Sequence, residues 1–262
     1  MSPEIIEFLT LAPIGFAVGA YGTLVGAGGG SVLVPVLIFL YPSADPASLT
    51  AMSLAVVFFN AYSGTLAYMR MGRVNYRAGI LFTAASIPGA ILGTKLVYSL
   101  PRNLFDLFFG LLLMAIASVL AIRPLGSNGR SAADSSQEMD TRFDVMGCVG
   151  SAYIAVLSSL LGIGGGIIHV PFLIRTLRFD PHIATATSHF VLSFMALTAT
   201  ITHVVMGELS TQLPQTMYLA VGVMMGAPVG AALSTRLHGG IIIRVLAMAL
   251  GLVGARLLLR LI

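Results

Sequence analysis

The sequence predicts an all-α polytopic membrane protein built from two inverted-topology repeats. Each repeat holds a glycine-broken helix/half-helix pair and three long transmembrane helices. Three observations predict this: an apolar composition, a duplicated glycine motif, and basic loops that change sides between the halves. Of the 262 residues, 57% are hydrophobic and 9% are charged, against roughly 25% charged in a soluble domain. With a mean hydropathy of +0.95, the chain lacks the polar surface that water requires. Long continuous apolar runs between short charged loops call for spanning helices. A β-barrel is excluded, because the runs do not alternate with period two.

The first charges are Glu4 and Glu7, with no basic region before the first apolar run, so no cleavable signal peptide is expected. Cys148 is the single cysteine, which excludes an intramolecular disulfide, an iron–sulfur site and a thiolate zinc site. No metal, no cofactor and no catalytic residue are expected. The net charge of +4 is read as setting topology rather than binding nucleic acid.

The duplication is direct. Gly26-Ala-Gly-Gly-Gly-Ser-Val-Leu-Val-Pro35 aligns with Gly162-Ile-Gly-Gly-Gly-Ile-Ile-His-Val-Pro171, with six identities in ten positions. Downstream, Asp45-Pro46 pairs with Asp180-Pro181, Thr50-Ala51 with Thr185-Ala186, and Ser53 with Ser188. Met71-Gly72 pairs with Met206-Gly207, and Gly89-Ala90-x-x-Gly93 with Gly226-Ala227-x-x-Gly230. Matches in one order along both halves mark an internal repeat.

Each half reads as five apolar segments. They run near 5–25, 31–42, 47–69, 78–98 and 103–122, and then near 144–162, 167–177, 183–206, 214–235 and 241–259. Repeat one is thus 1–122 and repeat two 143–262, joined by a hydrophilic linker, 123–142, rich in Ser, Gly and charge. The pair forms one transport domain, 1–262.

Basic residues orient the halves. Arg70, Arg73 and Arg77 follow the third segment of repeat one, which places that loop in the cytoplasm. The matching loop of repeat two, Gly207 to Gln212, has none. Conversely, the loop at Tyr41–Pro46 has none, while its counterpart carries Arg175, Arg178 and His182. That exchange is the mark of an inverted repeat with an odd number of crossings per half. Arg236, Arg244 and the linker fit the cytoplasmic side; Lys95, Arg102, Arg256 and Arg260 dissent by falling outside.

The second segment of each half has about a dozen residues, roughly 18 Å of helix against a ~30 Å hydrocarbon core, and reads as a half-helix. The sequence leaves open whether its partner crosses fully or the two form a re-entrant hairpin. Three successive glycines break the helix, and the next half-helix then begins near Ser31 or Ile167. Its free amides and the positive end of its dipole form an anion site that needs no charged side chain. Expected at the site are Gly28, Gly29, Gly30 and Ser31 in one copy, and Gly164, Gly165, Gly166 and Ile167 in the other. Ser53, Asn60, Ser188 and His189 follow on the next helices as hydrogen-bonding groups, with bonding to a neighbouring helix backbone as the alternative. His169 and His203 are candidates for proton coupling. The Gly89/Gly93 and Gly226/Gly230 pairs are read as helix packing, Asp106 as a helix cap, and Arg256 as snorkelling to the interface.

The paired G-x-G-G-G-x-x-x-V-P stretches, with Ala51-Met-Ser53 and Ala186-Thr-Ser188 after them, resemble the TauE/SafE sulfite-exporter family. Met52 departs from the pattern, which Thr187 keeps. The resemblance implies a secondary transporter of sulfite, thiosulfate or organosulfonates, directed outward across the bacterial inner membrane. The expected partners are a small sulfur-containing anion and the lipid bilayer, with a homodimer as a candidate assembly and no nucleic acid. An anion channel, an uptake carrier and a non-transporting assembly protein are the alternatives. Neither a Walker motif nor an H-E-x-x-H helix is present, so ATP hydrolysis and zinc proteolysis are not expected.

Overall fold

The computed structural model describes residues 3–26, 28–122, 141–208, 212–234, 251 and 254–259. Among them, nine helices follow one another: α1 (Pro3–Val25), α2 (Gly30–Leu40), α3 (Pro46–Arg70), α4 (Tyr76–Val97), α5 (Arg102–Ile122), α6 (Thr141–Leu161), α7 (Gly166–Arg175), α8 (Pro181–Val205) and α9 (Leu213–Leu233). These match nine of the ten expected segments. The tenth, 241–259, lies largely outside the described residues, with 254–259 helical. So does the linker, except that Thr141 and Arg142 already begin α6. Six helices (α1, α3, α4, α6, α8 and α9) are long and apolar enough to cross a membrane, and α2 and α7 are short and apolar.

Local chemistry sets the helix ends. Asn75 caps α4 by accepting from the Ala78 amide at 3.1 Å, and Asp180 caps α8 by accepting from His182 at 2.9 Å. Proline fills the first turn of α3 and α8, where its missing N–H costs nothing. Asp106 does not cap α5. It lies one turn in and pairs with Arg102 at 2.9 Å, and Arg102 also donates to the Ala44 carbonyl.

Glycines decide which helices touch. A methyl group on Gly222 would lie 2.1 Å from the Ala12 carbonyl oxygen, and one on Gly230 would lie 2.0 Å from that of Ala20. Helices α1 and α9 therefore run side by side in the same direction, backbone against backbone. Gly89 and Gly93 bring α4 against α6 in the same way, facing Ala152 and Val156. At the centre α3 and α8 run antiparallel: Thr50 of α3 meets His203 of α8, while Gly64 meets His189. The helix pairs are reciprocal, since α1 with α9 and α4 with α6 exchange when the two halves are interchanged.

The short helices turn back. Burial raises the Tyr41 phenol pKa at the end of α2, and the Glu7 carboxylate, near the start of α1, adds to it from within electrostatic reach. Glu7 also accepts a hydrogen bond from Gln215 at 3.1 Å. In the other half, Phe143 of α6 stacks on Phe179, just past α7, at 5.7 Å. In both halves the short helix thus folds back along the long helix before it. Arg77 pairs with Asp144 at 3.1 Å on the α6–α7 side. Ser48 and Glu208 pair at the opposite end of α3 and α8.

Candidate functional site

Both glycine breaks are built alike. Gly26, Gly28 and Gly29 have φ of 77°, 71° and 81°, and Gly162, Gly164 and Gly165 have φ of 70°, 75° and 80°. Only glycine takes three such values in four residues without strain. Gly29 and Gly165 are left-handed caps, so α2 and α7 start at Gly30 and Gly166, one residue before the expected starts. Neither helix has a side-chain cap. The first amides that find a carbonyl are those of Val32 and Ile168, each on its cap glycine. The amides of Gly30, Ser31, Gly166 and Ile167 remain as donors with no acceptor among the described residues.

The two breaks meet. A methyl group on Gly30 would lie 2.5 Å from the Ile163 carbonyl oxygen, and Gly28 and Gly164 both rest on Val57 of α3 and Leu192 of α8. The outer contacts are reciprocal: Gly26 touches Thr185, and Gly162 touches the matching Thr50.

The side chains divide. Ser53 donates to the Gly162 carbonyl at 2.6 Å, so it fastens the second break to α3 instead of facing a ligand. Asn60 accepts from Thr23 at 3.1 Å. Its Nδ2 has no partner and sits 3.4 Å from where a methyl group on Gly29 would be. Ser31 and Ser188 are fully buried, with hydroxyls that find no hydrogen-bond partner among the described residues. Ser188 borders a cavity of about 10 Å³ at the start of α7, together with Gly164, Gly165, Gly166 and His169. That volume takes the centre of one water molecule and no more.

The histidines separate in space. His169 is in the cavity wall, its Nε2 3.0 Å from the Ser151 hydroxyl. His189 turns away from the α7 end toward α3. It lies edge-on to Tyr68 at 5.5 Å, and neither nitrogen finds a hydrogen-bond partner of good geometry. His203 is near the Glu208 end of α8, 3.4 Å from Thr50 and 3.0 Å from the Tyr98 hydroxyl. Burial and Glu208 push the Tyr98 phenol up to about 12, so it stays a neutral donor at neutral pH.

Sequence reasoning missed Ser158, whose buried, unpartnered hydroxyl would be 2.7 Å from a methyl group on Gly165. It also missed Ser86 and Ser151 of the cavity wall. The signal for Ser158 was its place just ahead of the break; the other two are joined to it only by the α4–α6 packing. Arg256 lies over the Phe39 ring, 4.6 Å from its centroid, and does not reach the breaks.

Buried neutral donors at two uncapped helix starts are chemistry for holding an anion. The family model for the sulfite exporter TauE/SafE matches residues 11–257. The chain belongs to the TauE/SafE family. It is similar to the "probable membrane transporter protein YunE" of Bacillus subtilis strain 168, 29% identical over 97% of this chain and 98% of that one. A "probable membrane transporter protein" of Xylella fastidiosa strain Temecula1 is 29% identical over 86% of this chain and 82% of its own. The Methanocaldococcus jannaschii protein MJ0441, described in the same words, is 29% identical over 64% of this chain and 63% of its own. No solved structure matches. As a TauE/SafE member, this chain is a multi-pass membrane transporter and not an enzyme.

Proposed function

We propose that this TauE/SafE chain is a secondary carrier for a small sulfur-containing anion (sulfite, thiosulfate or an organosulfonate), which it moves outward across the bacterial inner membrane. The observation that carries the reading is a pair of uncapped helix starts whose glycine loops touch at Gly30 and Ile163, with Asn60 beside the α2 start and Ser158 and Ser188 beside the α7 start, all three keeping a polar atom unpartnered among the described residues. Each helix start supplies about half a positive charge, so an anion is held without a buried cation. With Val57 and Leu192 between the glycine loops and room only for water, this is a closed state. Loading requires those two side chains to withdraw.

The proposed frame is two inverted repeats, 1–122 and 143–262, working as one domain. The antiparallel course of α3 and α8 supports it. With the interior negative, each charge leaving gains about 2.3 kcal/mol per 100 mV, so the potential alone suffices for export. His169 borders the cavity and His203 does not, which favours His169 as the site of any proton exchange with the bound anion. The test is counterflow in proteoliposomes. Saturable uptake of labelled sulfite, accelerated by unlabelled sulfite inside, is expected of a carrier; non-saturable flux without counterflow would indicate a channel, and no flux an assembly protein.

A further inference from the structure

The two central helices end in the same turn and carry opposite charges there. After α3, the Gly72 amide donates to Met69 at 3.0 Å and Arg73 to Tyr68 at 3.2 Å; after α8, Gly207 donates to Val204 at 3.1 Å and Glu208 to His203 at 3.2 Å. Arg73 and Glu208 are therefore structural counterparts, as the aligned Met-Gly pairs before them imply. Their surroundings differ. Glu208 accepts from Ser48 at 2.9 Å, and the neighbouring His203 is engaged at both ring nitrogens. At that end Glu208 and His203 are both bonded, and the buried groups without a partner nearby, the side-chain oxygens of Gln212 and Gln215, are acceptors that offer an anion nothing.

The Arg73 end is not satisfied. The guanidinium Nη1 is closed off from solvent and has no hydrogen-bond partner among the described residues. The group lies within electrostatic reach of the Tyr68 hydroxyl, which donates to the Thr23 carbonyl at 2.8 Å. Beyond Tyr68 comes His189, fully buried and with no hydrogen-bond partner among the described residues besides the Thr185 backbone one turn back. A methyl group on Gly64 would lie 2.8 Å from His189 and 3.0 Å from Thr23. Thr23 bonds Asn60, and the free Nδ2 of Asn60 reaches Gly29. A file of contacts thus runs from Tyr68 to the start of α2, with the Arg73 backbone bonded to Tyr68 at its outer end, and it contains groups with hydrogen-bonding capacity left over. Buried polar groups without partners are costly, and a guanidinium nitrogen so placed is matched by an oxyanion.

We propose that Arg73, His189 and Asn60 form a loading subsite that passes a small oxyanion between the arginine-bearing face and the N-terminus of α2. The inference rests on the carrier reading and names the groups that load its anion. Arg73 concentrates anions at one mouth, and Glu208, at the matching place, repels them from the other. Anions load from the Arg73 face.

The test is sulfite uptake by oriented proteoliposomes, with the ion supplied to one face at a time. In R73Q the KM at the Arg73 face rises about tenfold, equivalent to about 1.4 kcal/mol, while the KM at the Glu208 face changes less than about twofold; R73K recovers most of the loss. Should R73Q fail to accumulate in the membrane, H189A carries the test with the same one-sided rise. An unchanged KM at the Arg73 face, or an equal rise at both faces, would overturn the subsite and leave the carrier reading standing. Wild-type protein without saturable uptake from either face would overturn both.

Discussion

Ser53 and Ser188 occupy matching positions on α3 and α8 and meet different ends. Ser53 spends its hydroxyl on the Gly162 carbonyl, whereas Ser188 keeps its own free beside the cavity. Ser53→Ala should therefore cost stability, about 1 kcal/mol for a buried hydrogen bond whose acceptor is left unpaired, read as a lowered Tm in detergent. Ser188→Ala should leave the Tm within about 0.5 kcal/mol of wild type and weaken anion affinity. Equal Tm losses in the two variants would contradict that division. The sequence shows both serines as polar groups inside a membrane helix. It does not show which is already satisfied, because the Gly162 carbonyl that decides it is remote in the chain. His189 shows the same limit: its sequence neighbour Ser188 borders the α7 cavity, but one residue on a helix is a turn of about 100°, and the His189 ring faces Tyr68 of α3.

At the scale of elements, glycine does two separate jobs. In the breaks it supplies left-handed backbone; in α4 and α9 it lets helices approach until the carbonyls of α6 and α1 fill the place of a side chain. Gly230→Leu must force α1 from α9, a cost of several kcal/mol by overpacking. Gly207→Ala meets open space and pays only the left-handed backbone cost of about 1–2 kcal/mol. Thermal denaturation should rank them in that order, and the reverse ranking would contradict the packing. Helix lengths and breaks were legible because apolar run length, Gly-Gly-Gly and Asp-Pro each have a local physical meaning. The fold-back of the short helices was not, because it depends on contacts such as Phe143 with Phe179 that the chain brings together only once folded.

For the whole molecule, the charge exchange between loops led to two repeats of opposite sense. The antiparallel α3–α8 pair is what supports that proposed sense. Single cysteines placed in a Cys148→Ser background test it. Those at Arg77 and Arg178 should react with an impermeant maleimide only from the cytoplasmic side, and those at Asp45 and Glu208 only from the outside. Labelling of Arg77 and Asp45 positions from one side would contradict the inverted arrangement.

The central claim is that one anion is held by the paired starts of α2 and α7. Calorimetric titration of sulfite and thiosulfate into purified wild-type, G29L and G165L protein tests it most directly, with size-exclusion profiles confirming that each variant is folded. The expected result is saturable binding by the wild type that is lost in both variants, since a side chain at Gly29 or Gly165 both strains a left-handed cap and fills the space before the free amides. Wild-type affinity retained in both variants would contradict the account.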